Sequence, residues 1–229
     1  MADKAIFTTD CLRFLKELRL NNDRDWFAEN KQRYEESIRE PSLRLIEQVG
    51  PKLEKISPFF PAVAKKVGGS LIRIHRDTRF SKDKSPYKTN VGIHFRHELG
   101  CNVHAPGFYL HLEPGDCFVG VGTWHPDSQS LLAIRRKIDD EPTVWKKARD
   151  AKAFRETYVL SGDSLKTAPR DFSKDHPLIE DLRRKDFIGL CRLDDNVVSS
   201  PELLSVVIDR FRAGKSLMRF LCEAVSAPF

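Results

Sequence analysis

The chain has 229 residues, of which 40% are hydrophobic and 31% charged, and this composition excludes a disordered protein. Its 39 Lys and Arg residues against 33 Asp and Glu residues give a net charge of +6. This modest excess favours anionic partners such as phosphates or nucleic acid, and mixed charge on solvated helix faces is the alternative explanation. No run of eighteen apolar residues is present, so we expect no membrane span, and the absence of a signal-peptide pattern favours the cytoplasm.

Three helices are predicted at the start of the chain, at Phe7–Leu20, Asp23–Arg39 and Leu43–Ile56. Their apolar residues recur with the spacing of one buried helix face. Thr8 is expected to cap the first helix, and Pro41 to end the second. Gly50 and Pro51 are expected to kink or interrupt the third. These segments predict a helical N-terminal layer.

Five strands are predicted, at Ser70–His75, Val91–His97, Phe108–Glu113, Cys117–Trp124 and Phe187–Leu193. The turn Glu113-Pro114-Gly115-Asp116 is typical of type II, so it predicts an antiparallel pair between the third and fourth strands. A short hairpin is predicted around Ser161-Gly162-Asp163, between Val159-Leu160 and Leu165.

Helical patterns dominate the rest of the chain. Asp127 can cap one helix, and one or two more are predicted between Pro142 and Tyr158, with a short one after Pro177. A long closing helix follows Ser200, with Gly214 as its weak point. No repeat or linker is visible, so residues 1–229 are predicted to form one α+β domain. We expect a mainly antiparallel sheet with helices packed on one face.

Alternate residues of the predicted strands separate into an apolar and a polar face. The polar face carries Arg73, His75, His94, Arg96, Tyr109, His111 and Glu113. Gly120, Gly122 and Trp124 share one face of the fourth strand. This polar face is either an ordinary solvated surface or the lining of a pocket.

Metal and cofactor motifs are weak in this sequence. His75, His94 and His111 would converge on a metal only if their strands were neighbours, and no metal-binding spacing supports that hypothesis. The five cysteines are widely spaced, with no C-x-x-C pair, so they indicate neither a disulfide framework nor a zinc site. Glycine-rich phosphate loops and the G-x-S-x-G elbow are also absent. We therefore predict no metal site and no cofactor.

The basic segment, Arg73–Asn90, reads R-I-H-R-D-T-R-F-S-K-D-K-S-P-Y-K-T-N and lies between two predicted strands. Long connections of this kind tend to be functional or disordered. Its guanidinium, ammonium and hydroxyl groups suit a phosphate or carboxylate. The predicted anion-binding residues are Arg73, Arg76, Arg79, Lys82, Lys84, Tyr87 and Lys88. The alternative is an internal lattice of salt bridges, in which Asp77 and Asp83 hold the neighbouring basic side chains.

The stretch R-D-T-R-F-S-K-D-K-S-P-Y-K-T within this segment closely resembles the signature of an uncharacterised family, domain of unknown function 2461. Further matching pieces are N-N-D-R-D-W-F-A-E-N-K, G-F-Y-L-H-L-E-P and V-G-V-G-T-W-H-P, so the resemblance covers nearly the whole chain. It implies a single α+β domain and assigns no activity, substrate or cofactor. The hallmark positions it identifies are Arg76, Asp77, Arg79, Phe80, Ser81, Lys82, Asp83, Lys84, Pro86, Tyr87 and Lys88.

Three functions are compatible with these patterns. The leading prediction is a module that binds an anionic small molecule, most simply a phosphate-bearing one, through the basic segment. The alternative is an enzyme acting on a phosphorylated or carboxylated substrate, with His75, Asp77 and His111 as acid–base candidates. The third is nucleic-acid binding through the same positive surface.

Overall fold

The computed structural model describes residues 4–100 and 106–229. The N-terminal helices are α1 (Asp10–Leu20), α2 (Arg24–Glu29), α3 (Lys31–Tyr34) and α4 (Glu40–Glu54), with a π-helical segment at Glu35–Arg39 between the last two. The strands are β1 (Val91–Arg96), β2 (Gly107–Leu112), β3 (Phe118–Thr123), β4 (Val159–Ser161) and β5 (Phe187–Arg192). The remaining helices are α5 (Ser128–Asp140), α6 (Pro142–Arg149), α7 (Lys152–Thr157), α8 (Ile179–Leu182), α9 (Asp195–Val198), α10 (Leu203–Ala213) and α11 (Lys215–Ala224).

The strands form one antiparallel sheet in the order β1-β2-β3-β5-β4. The predicted turn joins β2 to β3, with Gly115 at φ +80° and a hydrogen bond of 2.9 Å from the Asp116 amide to the Glu113 carbonyl. Only glycine takes this φ without strain, which explains the Pro-Gly signal. The predicted α+β class is therefore confirmed.

Helices cover one face of the sheet. Phe211 of α10 is fully buried, and its ring centroid lies 4.9 Å from that of Phe108 and 5.7 Å from that of Phe95. At Gly214 a Cβ atom would lie 2.9 Å from the Val121 methyl groups, so glycine allows the junction of α10 and α11 to approach β3. The alternation of buried residues in β1 and β2 follows the predicted apolar face. No helix in the described ranges is long and apolar enough to cross a bilayer.

The predicted strand Ser70–His75 is wrong as a regular strand. This segment makes isolated bridges, Leu71 with Ile93 and His75 with Tyr87, and so lies along the outer edge of β1. The Arg76 amide donates to the Pro86 carbonyl, and the Lys88 amide donates to the Ile74 carbonyl, both within 2.9 Å. The two ends of the basic segment are thereby held together beside the sheet.

Several helix boundaries also differ from the prediction. Pro41 does not end a helix: it lies in the first turn of α4, where its missing amide hydrogen costs little. Helix α4 runs through Pro51 to Glu54 without interruption. Residue Thr9, not Thr8, is the N-cap of α1, and it makes no side-chain capping bond. Asp127 caps α5 as predicted, accepting hydrogen bonds from the amides of Gln129 and Ser130.

Two predictions in the C-terminal half differ from the structure, the first because it assumed pairing between strands that are close in sequence. Val159–Ser161 pairs with β5, which follows it by more than twenty residues, and does not form a hairpin toward Leu165. The predicted closing helix is two helices, α10 and α11, divided at Gly214. Glycine is a poor helix former, and the close approach to Val121 explains why a larger residue would not fit there.

A cavity on the open sheet face

The sheet face opposite the helices borders a cavity of about 550 Å³. Its walls include side chains from four strands: His94, Tyr109, His111, Phe118, Ile188 and Leu190. Lys88, Asn90 and Trp124 also line it, and they come from loops beside the strands. Cavities of about 300–1,000 Å³ with apolar walls and a few polar groups are the usual form of small-molecule sites.

Glycines leave room for neighbouring side chains on this face of the sheet. A Cβ atom at Gly92 would lie 2.7 Å from the Tyr109 hydroxyl, and a Cβ at Gly107 would overlap the imidazole of His94. Tyr109 and His94 can therefore lie across the neighbouring strand. At Gly120 a Cβ would make only ordinary contacts, the nearest 3.6 Å from Leu190 Cδ2. The space above Gly120 thus belongs to the cavity.

A chain of polar side chains runs along β2 beside the cavity. His111 Nε2 lies 3.1 Å from Glu113 Oε2, and His111 Nδ1 lies 3.2 Å from the Tyr109 hydroxyl. The imidazole stacks on the Phe118 ring, with centroids 4.6 Å apart and planes 10° from parallel. Asn90 Nδ2 lies 3.5 Å from the same Nδ1 atom. The ring of His111 is therefore fixed in position by several contacts.

His94 is held as a neutral imidazole in this cavity. Burial, followed by the positive charge of Arg96, lowers the pKa of His94 from 6.5 to about 4. Its ring makes an edge contact with Tyr109, at a centroid distance of 5.9 Å. At neutral pH His94 therefore adds no positive charge to the cavity.

The depressed pKa of His94 predicts acid sensitivity. As pH falls below 6.5, His94 is protonated in the unfolded chain before it is protonated in the folded protein. The contribution of neutral His94 to the free energy of unfolding is therefore full above pH 6.5 and is lost progressively toward pH 4. At pH 5 the wild-type free energy of unfolding should be lower by about 2 kcal/mol than at pH 7.5 through this group. His94→Asn should remove most of this loss, as measured by urea unfolding at the two pH values.

Protonation of Asp10, which occurs at lower pH than that of His94, provides the control for that experiment. Hydrogen bonds from Arg33 lower the pKa of Asp10 below its ordinary value of 3.8. Asp10→Asn should therefore lower stability at neutral pH and remove the further loss that the wild type shows below about pH 4, while the change in stability between pH 7.5 and pH 5 stays the same. If His94→Asn kept the full wild-type loss between pH 7.5 and pH 5, the assignment to His94 would be wrong.

Two arginines of the basic segment are already paired with its acids. Arg79 binds Asp77 through two hydrogen bonds of 3.0 and 2.7 Å, and Arg76 contacts Asp83 and Ser85. The Arg79 side chain lowers the pKa of Asp77 to about 2. The amide of Ser85, followed by Arg76, lowers the pKa of Asp83 to about 2. These contacts match the salt-bridge alternative drawn from the sequence.

The other predicted anion-binding residues do not all share one site, although Lys84 and Tyr87 line the same cleft. Arg73 and Lys82 are exposed, and Lys84 Nζ donates to the Thr78 carbonyl at 3.0 Å. Tyr87 is buried, and its ring stacks on Phe27 with a centroid distance of 4.0 Å. Lys88 differs from the rest because it lines both the cavity and a polar cleft formed by the basic segment.

The enzyme and metal candidates do not come together as a set. His75 and Asp77 are exposed on the basic segment, and His75 lines a separate cleft with Arg76 and Lys84. Only His111 of the three acid–base candidates lies in the cavity, where His94 is also found. In residues 4–100 and 106–229 no group of three or more His, Cys, Asp or Glu side chains is arranged to hold a metal.

The sequence placed Tyr109 and Glu113 on the polar face but assigned them no role. The available signal was their spacing, since residues 109, 111 and 113 must share one face of a strand. Gly92 and Gly107 carried no signal of their own. Whether these glycines make room for a side chain depends on the residues that lie near them on the neighbouring strand. Those residues are known only once the pairing of β1 with β2 is known.

The fold and the site define an α+β protein whose antiparallel sheet is covered by helices on one face and borders a cavity on the other. The chain belongs to the family described as conserved hypothetical protein (DUF2461), whose model matches residues 10–220. This match confirms the resemblance seen in the sequence. No curated protein and no solved structure matches the chain.

Proposed function

We propose that the protein binds a small organic anion in the cavity, with its apolar body against the sheet and its anionic group at Lys88. The observation that carries this proposal is a half-buried ammonium group at the edge of an aromatic-walled cavity. The anionic group is a carboxylate or a phosphate, since both accept charge-assisted hydrogen bonds from an ammonium.

Lys88 is the basic side chain best suited to the anion. Burial, followed by the positive charge of Arg73, lowers the pKa of Lys88, and no acidic side chain of the described chain offsets either effect. One hydrogen of its ammonium is donated to the Arg73 carbonyl, at 2.9 Å. An ammonium offers three hydrogens, so two remain for a ligand. A bound anion would supply the missing opposite charge.

The cavity walls favour an apolar, preferably aromatic, ligand body. Phe118, Ile188 and Leu190 supply apolar surface, and Tyr109 and Trp124 supply aromatic rings. Aromatic pairs stabilise contacts by about 0.5–1.5 kcal/mol beyond the area that they bury. Inorganic phosphate alone would leave this surface unused, so an anion attached to an apolar body should bind more tightly.

A thermal-shift experiment with 2-naphthoate and 2-naphthyl phosphate tests this proposal. At a concentration 100-fold above Kd, a ligand that binds only the native state adds about 2.7 kcal/mol to the free energy of unfolding. For a chain of this size that corresponds to a rise in Tm of about 5 to 10 °C. Inorganic phosphate and the uncharged 2-naphthalenemethanol should each produce a much smaller rise at the same concentration.

Lys88→Met keeps the apolar stem and removes the charge. It should weaken naphthoate binding by at least about tenfold, the loss expected for a charge-assisted hydrogen bond of about 1.5–3 kcal/mol. Binding of 2-naphthalenemethanol should be unchanged, since that molecule has no anionic group.

Lys84→Met is the matched comparison, because the Lys84 ammonium also donates to a backbone carbonyl but lines the cleft with His75 instead of the cavity. We expect it to bind naphthoate as the wild type does. A loss of binding in Lys84→Met with none in Lys88→Met would move the anion into the basic segment and contradict the proposal.

We also propose a cytoplasmic location, which the cysteines support. Cys11, Cys117, Cys191 and Cys222 are free, and all but Cys191 are buried. Burial raises the pKa of Cys117 and of Cys222 to about 12, so these thiols behave as apolar core groups. Unpaired cysteines are typical of proteins kept in a reducing compartment.

A further inference from the structure

Three side chains on one strand form a continuous hydrogen-bonded chain that anion binding does not require. Tyr109, His111 and Glu113 are two residues apart, so they project from the same face of β2 and its extension. The Tyr109 hydroxyl lies 3.2 Å from His111 Nδ1, and His111 Nε2 lies 3.1 Å from Glu113 Oε2. Catalytic triads have the same arrangement, in which a base lies between a nucleophile or acid and a carboxylate that orients the base.

The direction of each hydrogen bond follows from the chemistry of the groups. An ionised Glu113 can only accept, so His111 carries its hydrogen on Nε2 and donates it to Glu113. His111 Nδ1 is then an acceptor, and Tyr109 must donate its hydroxyl hydrogen to it. Burial raises the pKa of Tyr109 to about 12, which keeps the phenol protonated and able to donate at neutral pH.

The surroundings keep this chain aligned beside the cavity. The Phe118 ring holds the imidazole by stacking, and Arg19 binds the other oxygen of Glu113 at 2.7 Å. The Tyr109 hydroxyl lies above Gly92, where a larger residue would displace it. Tyr109 and His111 both line the cavity, so a ligand there lies beside the relay.

We propose that Tyr109, His111 and Glu113 form a proton relay. The relay removes a proton from a carbon next to a carbonyl group of the anion bound in the cavity, and then returns it. The proposal rests on the proposed binding function. The C–H bond of the ligand breaks, its electron pair stays on the ligand as an enolate, and the proton moves to the Tyr109 oxygen. The Tyr109 proton moves at the same time to His111 Nδ1, and Glu113 stabilises the imidazolium that forms.

This step balances without an oxidant, a reductant or a second substrate. The ligand must contain a carbonyl group next to the C–H bond, because a histidine base cannot take a proton from an unactivated carbon. The Lys88 ammonium favours the added negative charge of the enolate. Tyr109 is the catalytic residue in this relay, His111 is the base, and Glu113 positions the base.

The relay can be tested without knowing the natural ligand, by modification with 4-toluenesulfonyl fluoride. The Tyr109 oxygen forms a bond to sulfur, the S–F bond breaks with loss of fluoride, and His111 takes the phenolic proton. Mass spectrometry should show Tyr109 modified at least about tenfold faster than Tyr158, as expected for general-base assistance. Tyr158 is the internal control, because its hydroxyl donates to the Arg210 carbonyl, which cannot accept a proton.

Matched variants separate the relay from simple exposure of Tyr109. His111→Gln and Glu113→Gln should both slow the modification, the first by at least about tenfold. Arg192→Gln removes an exposed ion pair with Asp116, which lies outside the relay, and should leave the rate within twofold of wild type. The nitrogen-15 NMR signals of His111 should show the hydrogen on Nε2 in wild type. Equal rates in wild type and His111→Gln, or a hydrogen on Nδ1, would overturn the relay.

The reaction itself is tested with phenylpyruvate, an aromatic carboxylate whose CH₂ protons are activated by a carbonyl group. In deuterium oxide, wild-type protein should accelerate exchange of these protons, followed by proton NMR, by at least about 100-fold over Tyr109→Phe. If phenylpyruvate raises Tm and exchanges no faster than with Tyr109→Phe, the catalytic proposal is wrong and the binding function stands. If it fails to raise Tm while Tyr109 modification depends on His111, the binding proposal fails and the relay stands.

Discussion

Gly120→Leu is expected to abolish ligand binding while leaving the protein folded. A Cβ at this position would lie 3.6 Å from Leu190 Cδ2, 3.7 Å from Tyr109 Cβ and 3.9 Å from the Phe118 ring, all ordinary contacts. The rest of the leucine side chain must therefore extend into the cavity. We expect the Kd for 2-naphthoate to rise by at least about 100-fold, which corresponds to about 2.8 kcal/mol.

The stability of the unliganded variant separates this effect from unfolding. Glycine weakens a strand interior because it has no side chain to pack, so leucine should leave Tm unchanged or raise it. Gly120→Ala adds only the Cβ and should bind 2-naphthoate with a much smaller loss. Isothermal titration calorimetry of the three proteins gives the comparison. Wild-type affinity in Gly120→Leu would mean that the ligand lies elsewhere.

Phe211→Ala is expected to lower the free energy of unfolding by about 3–5 kcal/mol, the usual cost of removing a buried aromatic side chain. Phe211 is fully buried between α10 and the sheet, and its ring contacts those of Phe95 and Phe108. These partners lie on the sheet face opposite the cavity. Their loss leaves a void that a packed core closes only in part.

Urea unfolding measures this loss, with Arg212→Ala as the neighbouring control. The Arg212 side chain is exposed and pairs with Asp209 within α10, so its removal should change stability by less than about 1 kcal/mol. A loss below 1 kcal/mol for Phe211→Ala would show that α10 does not support the sheet in the way its contacts indicate.

Residue alternation was sufficient to predict the faces of the main strands. In β1 and β2 the buried and cavity-facing residues alternate, because the side chains of a strand point to opposite sides. The same rule failed for residues 70–75. By strict alternation Ile72 would lie on the apolar face, opposite Arg73 and His75, but it lines the cavity. The segment makes isolated bridges at the sheet edge, so strict alternation does not apply to it.

The contacts of the basic segment could not be read from the sequence, because the same residues suit a ligand or one another. Pairing of Arg76 with Asp83 and of Arg79 with Asp77 is a result of how the segment folds. The position of Lys88 depends on the return of the chain toward β1, where its amide pairs with Ile74. The sequence therefore identified Lys88 as one of seven candidates but not as the one beside the cavity.

The relay residues were likewise visible only in part. His111 was a candidate from its residue type, whereas Glu113 looked like the first residue of a turn and Tyr109 like a member of a polar face. Their mutual distances depend on side-chain rotamers, on the space above Gly92 that the Tyr109 hydroxyl occupies, and on the stacking of His111 on Phe118. None of these features follows from hydrophobic periodicity.

A crystal structure of the protein soaked with 2-naphthoate tests the proposed binding site most directly. We predict density for the naphthalene ring above Gly120, between Tyr109 and Trp124, with the carboxylate within hydrogen-bond distance of Lys88 Nζ. Density in the cleft beside Arg76 and Lys84, with the cavity empty at saturating ligand, would contradict the assignment of the cavity as the binding site.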